Sequence, residues 1–243
     1  MEHLLPKSTS KDERERASRI AVLPVGSFEQ HGDHLPLITD TVIACVIARE
    51  IAAAHDLMLL PPITMSCSHE HSAWPGTVSI SARTLYSVVT DIARSVAANG
   101  ADRLLIVNGH GGNYVLSNVV QEANVSGPQM ALFPTRDDWA AARVAAGVET
   151  SHHDDMHGGE LEVSILLHAH PELVGPGALD QDHEVPNRPM LLSLGMDGYT
   201  KNGIIGRPSL ASPAKGKAVL ESLTKLAQTH LAALRDQASP ASR

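Results

Sequence analysis

Carboxylate and imidazole side chains lie close together near the beginning of the chain. Glu29 and His31 are two positions apart, so their side chains point the same way in an extended segment, and Asp40 follows at the start of a predicted helix. Such oxygen and nitrogen ligands suit Zn²⁺, Mn²⁺ or Fe²⁺. Asp40 alone is equally well explained as a helix cap, and His31 alone as a loop residue. The three together favour a metal site.

A glycine-rich turn follows a predicted strand at 108–113, where the sequence reads NGHGGN. Glycines allow a backbone to approach a ligand closely, so a phosphate cradle is one interpretation of this turn. The spacing matches neither the Walker loop nor the dinucleotide fingerprint. The turn also projects His110 from the end of a strand, where it could bind a metal, and taken alone the residue fits either interpretation.

A third polar stretch covers residues 151–162 and holds three histidines and four acids. His157 and Glu160 belong to a His-Gly-Gly-Glu segment at the mouth of a predicted helix, which makes them candidates for a site. The remaining members, His152, Asp154 and Asp155, fit an ordinary charged loop. Farther upstream, His69 and His71 could line the same pocket, or they could belong to a polar loop.

Short apolar strands alternate with longer helices along the chain. The predicted strands are Ile20–Val25, Leu57–Leu60, Arg103–Val107 and Gln129–Phe133. The predicted helices are Thr39–His55, Ser81–Ala98, a helix from NGHGGN to about Asn124, Asp137–Ala146, Glu160–His168 and Lys215–Leu234. This alternation indicates βαβ units and a mainly parallel sheet covered by helices on both faces. Ligands of such sheets lie beyond the carboxyl ends of the strands, which is where the candidate residues occur.

Composition narrows the class of protein. The 243 residues are 43% hydrophobic and 19% charged, as in a globular domain. Residues 1–18 read as a solvated leader without the apolar core of a signal peptide, and 19–243 as a single α/β domain. No apolar run reaches the length of a membrane span, and a net charge of −8 without a basic cluster argues against nucleic acid. Two cysteines favour a reducing, cytoplasmic location.

Four segments of the chain are PVGSFEQHGDHLPLITD, EHSAWPGTVSI, VNGHGGN and MHGGELEVS. They occur in the order and approximate spacing of the creatininase (creatinine amidohydrolase) family, which the chain resembles from about Ile20 to Leu234. The resemblance implies a three-layer α/β/α sandwich that binds two divalent metal ions, commonly Zn²⁺, Mn²⁺ or Fe²⁺. It further implies hydrolysis of a C–N bond in a small amide. Creatinine and formylated pyrimidines are substrates in the family, and one branch trims a peptide. Many members are hexamers, so a homo-oligomer is expected.

The resemblance also implies roles for individual residues. Glu29, His31, Asp40 and His110 correspond to metal ligands, with Asp40 bridging the two metals. His157 corresponds to the catalytic histidine, which stabilises the transition state or transfers a proton.

Among the positions at which the chain departs from creatininase proper, two bear directly on the expected site. Gly112 stands where creatininase proper has an acidic ligand, and Glu160 is the expected replacement, with an additional role in catalysis alongside Glu162. His153 stands where creatininase proper has a tryptophan, which leaves Trp139 as an aromatic that could contribute to the pocket.

These observations support a metal-dependent amidohydrolase acting on a creatinine-like, formamide or peptide-like substrate through a metal-activated water. The alternative is a non-catalytic metal-binding accessory protein that keeps the fold, and Gly112 is the main argument for it. A phosphate- or nucleotide-binding protein is a third hypothesis, which depends on the glycine-rich turn alone.

Overall fold

The computed structural model describes residues 4–235. Its strands are β1 (Ile20–Val25), β2 (Met58–Leu59), β3 (Arg103–Asn108) and β4 (Met130–Phe133). Its helices are α1 (Ser10–Arg16), α2 (Thr39–His55), α3 (Ala82–Ala98), α4 (Val115–Ala123), α5 (Arg136–Ala146), α6 (Glu160–Ala169), α7 (Leu191–Leu194) and α8 (Pro213–Arg235). No helix within 4–235 is both long and apolar enough to cross a membrane.

The four strands form one parallel sheet in the order β2-β1-β3-β4. β1 and β3 lie at its centre, with Val22 opposite Leu105 and Val25 opposite Asn108. Both strands are continuous apolar runs, as expected for strands that are buried on both faces. Because β1 and β3 are parallel neighbours, their carboxyl ends lie side by side at one edge of the sheet.

Alternate residues of the central strands pack into two separate cores. Val22 and Leu105 point into one core, which α2, α5, α6 and α8 complete. Leu23 and Ile106 point into the other, where α3 and α4 cover the opposite face. Each face of the sheet thus has its own helical layer, and the predicted three-layer α/β/α arrangement is confirmed.

One strand boundary and one helix cap differ from the sequence-based expectation in ways that matter for the site. The β2 strand is only two residues long because Pro61 and Pro62 follow soon after it. Helix α2 begins at Thr39 and its N-cap residue is Ile38, which makes no side-chain capping bond. Asp40 lies inside the first turn and does not cap the helix. Its carboxylate is therefore available for another role.

The first segment and the long connection also have defined structure. Helix α1 occupies part of the predicted leader, and none of its residues is buried. Residues 175–206 contain α7, and at their end Ile205 pairs with His157 in a short antiparallel bridge. The connection therefore returns to the residues that precede α6.

Helices α6 and α8 approach each other closely at Gly216. A Cβ atom at this position would overlap the carbonyl oxygen of Ser164 on α6. Glycine inside a helix ordinarily costs about 1 kcal/mol relative to alanine. The close contact between the helices should reverse that preference here.

We predict that Gly216→Ala lowers the free energy of unfolding by about 2 kcal/mol, because the methyl group forces the two helices apart. Denaturant titration measures this change. Lys225→Ala on the exposed face of α8 should leave stability nearly unchanged. Stabilisation by Gly216→Ala would show that the helices separate without loss of packing.

Candidate metal centre

Six titratable side chains meet where β1 and β3 end and α2 and α6 begin. The segment after β1 supplies two of them, the first turn of α2 one, the turn after β3 one, and the region around the start of α6 two. Five are at most 5% exposed, and the sixth, Glu162, has a side chain that is 20% exposed. The six residues are Glu29, His31, Asp40, His110, His157 and Glu162.

One group of possible ligand atoms consists of Glu29, Asp40 and His110. His110 Nδ1 lies 3.1 Å from Glu29 Oε1 and 3.2 Å from Asp40 Oδ2. Two carboxylate oxygens and one imidazole nitrogen therefore converge on one point, with positions left for further ligands.

A second group consists of His31, Asp40 and Glu162. His31 Nε2 lies 3.1 Å from Asp40 Oδ1 and 3.9 Å from Glu162 Oε2. Asp40 thus directs one carboxylate oxygen toward each group. A carboxylate in this position can bridge two adjacent cations.

Backbone carbonyls fix the orientation of both imidazoles. His31 Nδ1 donates to the Glu29 carbonyl at 3.1 Å, and His110 Nε2 donates to the Cys67 carbonyl at 2.8 Å. Carbonyl oxygens only accept, so the hydrogen of each neutral ring is on the nitrogen that contacts them. In the neutral form, the other nitrogen of each ring carries a lone pair toward the carboxylates, as metal-binding histidines do.

Two carboxylate oxygens in the centre lack hydrogen-bond partners. Within residues 4–235, Glu29 Oε1 and Asp40 Oδ2 are fully buried and accept no hydrogen bond. Buried oxygens of this kind are costly unless a cation or a donor compensates them. Both belong to the first group of ligand atoms, which is where a divalent cation would satisfy them. The residues present therefore fit a metal ion.

The ionisation of the centre follows from its burial and its charges. Burial alone would lower the pKa of His31, but the surrounding carboxylates, Asp40 first and then Glu162 and Glu29, together outweigh burial and raise it to about 9. Burial alone would raise the pKa of Glu29, but the imidazoles of His110 and His71 together outweigh burial and lower it to about 2. The carboxylates therefore hold positive charge beside them, which protonated histidines or metal ions can supply.

His157 differs from the two other imidazoles. Its Nε2 donates to the Gln30 carbonyl at 2.6 Å, and its Nδ1 lies 3.7 Å from Glu29 Oε1. Burial and the neighbouring His31 lower the pKa of His157 to about 3. The ring is therefore neutral at physiological pH and presents an unprotonated Nδ1 to the centre.

His71 also reaches the centre, as one of the two interpretations of its sequence segment allowed. Its Nε2 lies 3.2 Å from Glu29 Oε1, and its Nδ1 contacts the side-chain amide of Gln30 at 2.9 Å. Since Gln30 Nε2 donates to His71 Nδ1, neutral His71 carries its hydrogen on Nε2, but this nitrogen makes no hydrogen bond to Glu29 Oε1. The neighbouring His69 is exposed, and its Nδ1 contacts Ser79 Oγ at 3.2 Å.

The structure does not bring Glu160 to the centre. Its carboxylate accepts from Thr150 N at 2.9 Å, Thr150 Oγ1 at 2.7 Å and Lys215 Nζ at 2.6 Å. Both Glu160 and Glu162 lie in the first turn of α6, and helix residues two positions apart point to nearly opposite sides. The carboxylate that lies at the centre is that of Glu162, whereas Glu160, expected as a ligand and catalytic group, contacts Thr150 and Lys215 at the start of α6.

The space around Gly112 explains why this position carries no acidic side chain. A Cβ atom at Gly112 would overlap Glu70 Oε1 and His110 Nε2. Glu70 Oε1 lies 3.6 Å from His110 Nε2. A side chain at position 112 would therefore displace Glu70 and disturb the imidazole orientation.

Two cavities lie on opposite sides of the glycine-rich turn. One, of about 220 Å³, is lined by His110 and Glu162 of the centre and extends toward α5. The other, of about 380 Å³, is lined by Glu70 and Gly112 and extends toward α7. Of the two, the first is lined by members of the centre.

The chain was compared with known proteins. A family model described as creatininase (creatinine amidohydrolase) matches residues 6–230. The chain is 36% identical to a mycofactocin precursor peptide peptidase of Mycobacterium ulcerans (strain Agy99) over 211 residues, covering 82% of this chain and 78% of that protein. It is 26% identical to a creatinine amidohydrolase of Pseudomonas putida, with 83% and 84% of the two chains covered.

Solved structures agree with this relationship. A creatininase mutant complexed with creatine superimposes with a TM-score of 0.78 at 25% identity, covering 95% of this chain and 98% of the other. A creatinine amidohydrolase crystal structure has a TM-score of 0.80 at 23% identity, covering 95% and 97%, which shows the shared fold. By its sequence match and its three-layer architecture, the chain belongs to the creatininase family.

Proposed function

We propose that this protein is a divalent-metal-dependent amidohydrolase that cleaves a C–N bond of a linear amide or short peptide. Asp40 carries the argument, because its two buried oxygens face two different groups of ligand atoms. In this proposal Glu29, Asp40 and His110 hold one ion, and His31, Asp40 and Glu162 hold the other. The mixed oxygen and nitrogen ligands suit Zn²⁺, Mn²⁺ or Fe²⁺.

Two adjacent divalent ions, when bound, would supply Lewis acidity and lower the pKa of a water molecule toward neutrality. The protein's part is to hold the ligands rigidly in a buried site. The backbone carbonyls that orient His31 and His110 remove the need for these rings to reorganise.

His157 is the proposed proton carrier. Its Nδ1 is unprotonated at physiological pH and can accept a proton during attack on the amide carbonyl. The Gln30 carbonyl holds the Nε2–H group, and Glu29 stabilises the imidazolium that forms. The same Nδ1–H can then protonate the departing amine nitrogen.

The shape of the site favours an extended substrate over a creatinine-like ring. His153, at the position of the creatininase tryptophan, is exposed, and its Nε2 contacts the Pro186 carbonyl at 2.7 Å. His153 therefore supplies no ring surface on which a creatinine-like ring could stack. The similarity to peptidases of the family supports a peptide-like substrate.

The alternative, a non-catalytic accessory protein, depended on the missing acidic residue at Gly112. Glu162 offers a carboxylate to the same centre, so that argument loses its force. By analogy with the family, we also propose a cytoplasmic homo-oligomer. A hexamer is its expected form.

Asp40→Asn should reduce bound metal from about two ions per chain to fewer than one and abolish hydrolysis, because both proposed sites lose a ligand charge. Elemental analysis of protein purified without chelator measures the metal. Asp91→Asn, an exposed change on α3, is the matched control and should keep both ions. Full metal content in Asp40→Asn would exclude the bridging role.

Glu162→Gln and Glu160→Gln should separate the two neighbouring carboxylates. The first variant should lose about one ion per chain, with little change in Tm of the metal-free protein. The second should keep both ions and lower Tm by roughly 2–4 °C for each kcal/mol lost, because it removes the partner of Lys215. Loss of an ion in Glu160→Gln together with retention of both ions in Glu162→Gln would instead assign the ligand role to Glu160.

His157→Asn should lower kcat on an amide substrate by about 10²- to 10⁴-fold while metal content stays unchanged. Steady-state kinetics with the metal-loaded enzyme tests this. His168→Asn, the same substitution at an exposed residue late in α6, should retain activity. Unchanged kcat in His157→Asn would exclude proton transfer by this ring.

A further inference from the structure

Gln30 contacts two imidazoles of the centre in different ways. Its backbone carbonyl accepts from His157 Nε2 at 2.6 Å, which leaves Nδ1 of that ring as an acceptor. Its side-chain Nε2 contacts His71 Nδ1 at 2.9 Å. Gln30 and His71 are both buried, and neither belongs to the two groups of ligand atoms in the proposed metal centre. They are therefore polar groups of the centre that the proposed ligand sets do not use.

Backbone groups fix the orientation of the Gln30 side-chain amide. Its Oε1 accepts from Gly32 N at 2.9 Å, and its Nε2 donates to the Gly203 carbonyl at 2.9 Å. Exchange of the two amide atoms would place the oxygen against a carbonyl and the nitrogen against an N–H group. The atom that faces His71 Nδ1 is therefore the nitrogen, which can only donate.

The Gln30 amide thus determines the tautomer of His71. A ring nitrogen that accepts a hydrogen bond carries a lone pair, so the hydrogen of neutral His71 is on Nε2. His31 and His110 have the reverse arrangement, because in each of them the nitrogen away from the carboxylates donates to a backbone carbonyl. Metal-binding histidines require that arrangement. His71 lacks it and directs an N–H group toward the centre.

The N–H group of His71 and the lone pair of His157 flank the same position. His71 Nε2 lies 3.2 Å from Glu29 Oε1, His157 Nδ1 lies 3.7 Å from the same oxygen, and the two ring centroids are 4.4 Å apart. Within residues 4–235, His71 Nε2 has no hydrogen-bond partner, and unlike Glu29 Oε1 it retains some accessible surface. A donor without an acceptor therefore lies beside the proposed proton carrier.

We infer that His71 donates a hydrogen bond to the carbonyl oxygen of the scissile amide, and that Gln30 is the positioning residue that keeps His71 a donor. Negative charge develops on this oxygen during hydrolysis, and a donor held in place before the reaction stabilises it. The inference rests on the proposed function and deepens it by adding a residue that contacts the reacting atoms.

The two rings have complementary tasks in the reaction. As water attacks the amide carbon, the new C–O bond forms, a proton of the water passes to His157, and the electron pair of the C=O bond moves to the oxygen. When that pair returns, the C–N bond breaks and the departing nitrogen takes the proton from His157. His71 keeps its own proton throughout, because Gln30 cannot accept a proton from its ring.

The tautomer is measured by ¹⁵N NMR on the full Zn²⁺-loaded chain labelled with ¹⁵N-histidine. His71 is identified by the signals that disappear in His71→Asn. We expect an unprotonated Nδ1 and a protonated Nε2 in the wild type. Gln30→Glu should place a hydrogen on Nδ1, because a carboxylate only accepts. Gln121→Glu, the same substitution at an exposed residue of α4, should leave the signals of His71 unchanged.

Kinetics and metal content separate a hydrogen-bond donor from a metal ligand. His71→Asn removes the group at Nε2 and should lower kcat by about 10²- to 10³-fold on the fastest-cleaved member of a tripeptide panel. KM and the number of bound Zn²⁺ ions should change little, because the donor acts mainly on the transition state. His71→Gln can return an N–H group to this position and should recover most of the lost activity.

Several results would overturn the inference. Loss of a bound ion in His71→Asn would show that His71 is a metal ligand. A protonated Nδ1 in the wild type, an unprotonated Nδ1 in Gln30→Glu, or an unchanged kcat in His71→Asn would exclude the donor role or its control by Gln30. Failure of the wild type to cleave any tripeptide would contradict the proposed function, and the NMR signals and metal content would still decide whether His71 is a donor or a ligand.

Discussion

The burial of negative charge at one edge of the sheet is the constraint on which the rest of the structure depends. Glu29 and Asp40 lie within contact distance of the same imidazole and are almost completely excluded from water. Two of their oxygens accept no hydrogen bond within the described chain. Such an arrangement is stable only if positive charge enters the site, so the surrounding elements are organised to hold imidazoles and cations against these carboxylates.

Sequence patterns identified the architecture and most of the candidate centre because both depend on short-range rules. Apolar runs between helices indicated the parallel sheet, and the motifs placed Glu29, His31, Asp40 and His110 beyond strand ends. The choice between Glu160 and Glu162 depended on how α6 is rotated about its axis, since a helix directs these two side chains to nearly opposite sides. The start of α6 at Glu160 was predicted, but its rotation is set by long-range contacts with α8, such as that of Glu160 with Lys215, so this distinction required the structure.

The role of His71 could not be settled from sequence for a different physical reason. Its position beside Glu29 depends on a long-range contact, in which Gln30 and the segment after β2 lie against each other. The same applies to the segment before α6, which Asp155, Arg143 and Lys215 anchor from three directions. This anchoring holds His157 and Glu162 in fixed positions relative to the sheet. Local sequence patterns do not indicate such long-range contacts.

The overlap that a side chain at Gly112 would cause bears on how such centres change during evolution. The space beside this turn already holds an acidic side chain, that of Glu70 from the segment after β2, while Glu162 approaches His31 from the other side. A substitution that adds an acidic side chain at position 112 would therefore have to be accompanied by a change at Glu70. A column-by-column alignment would treat positions 70 and 112 as independent, although in three dimensions their side chains compete for one space.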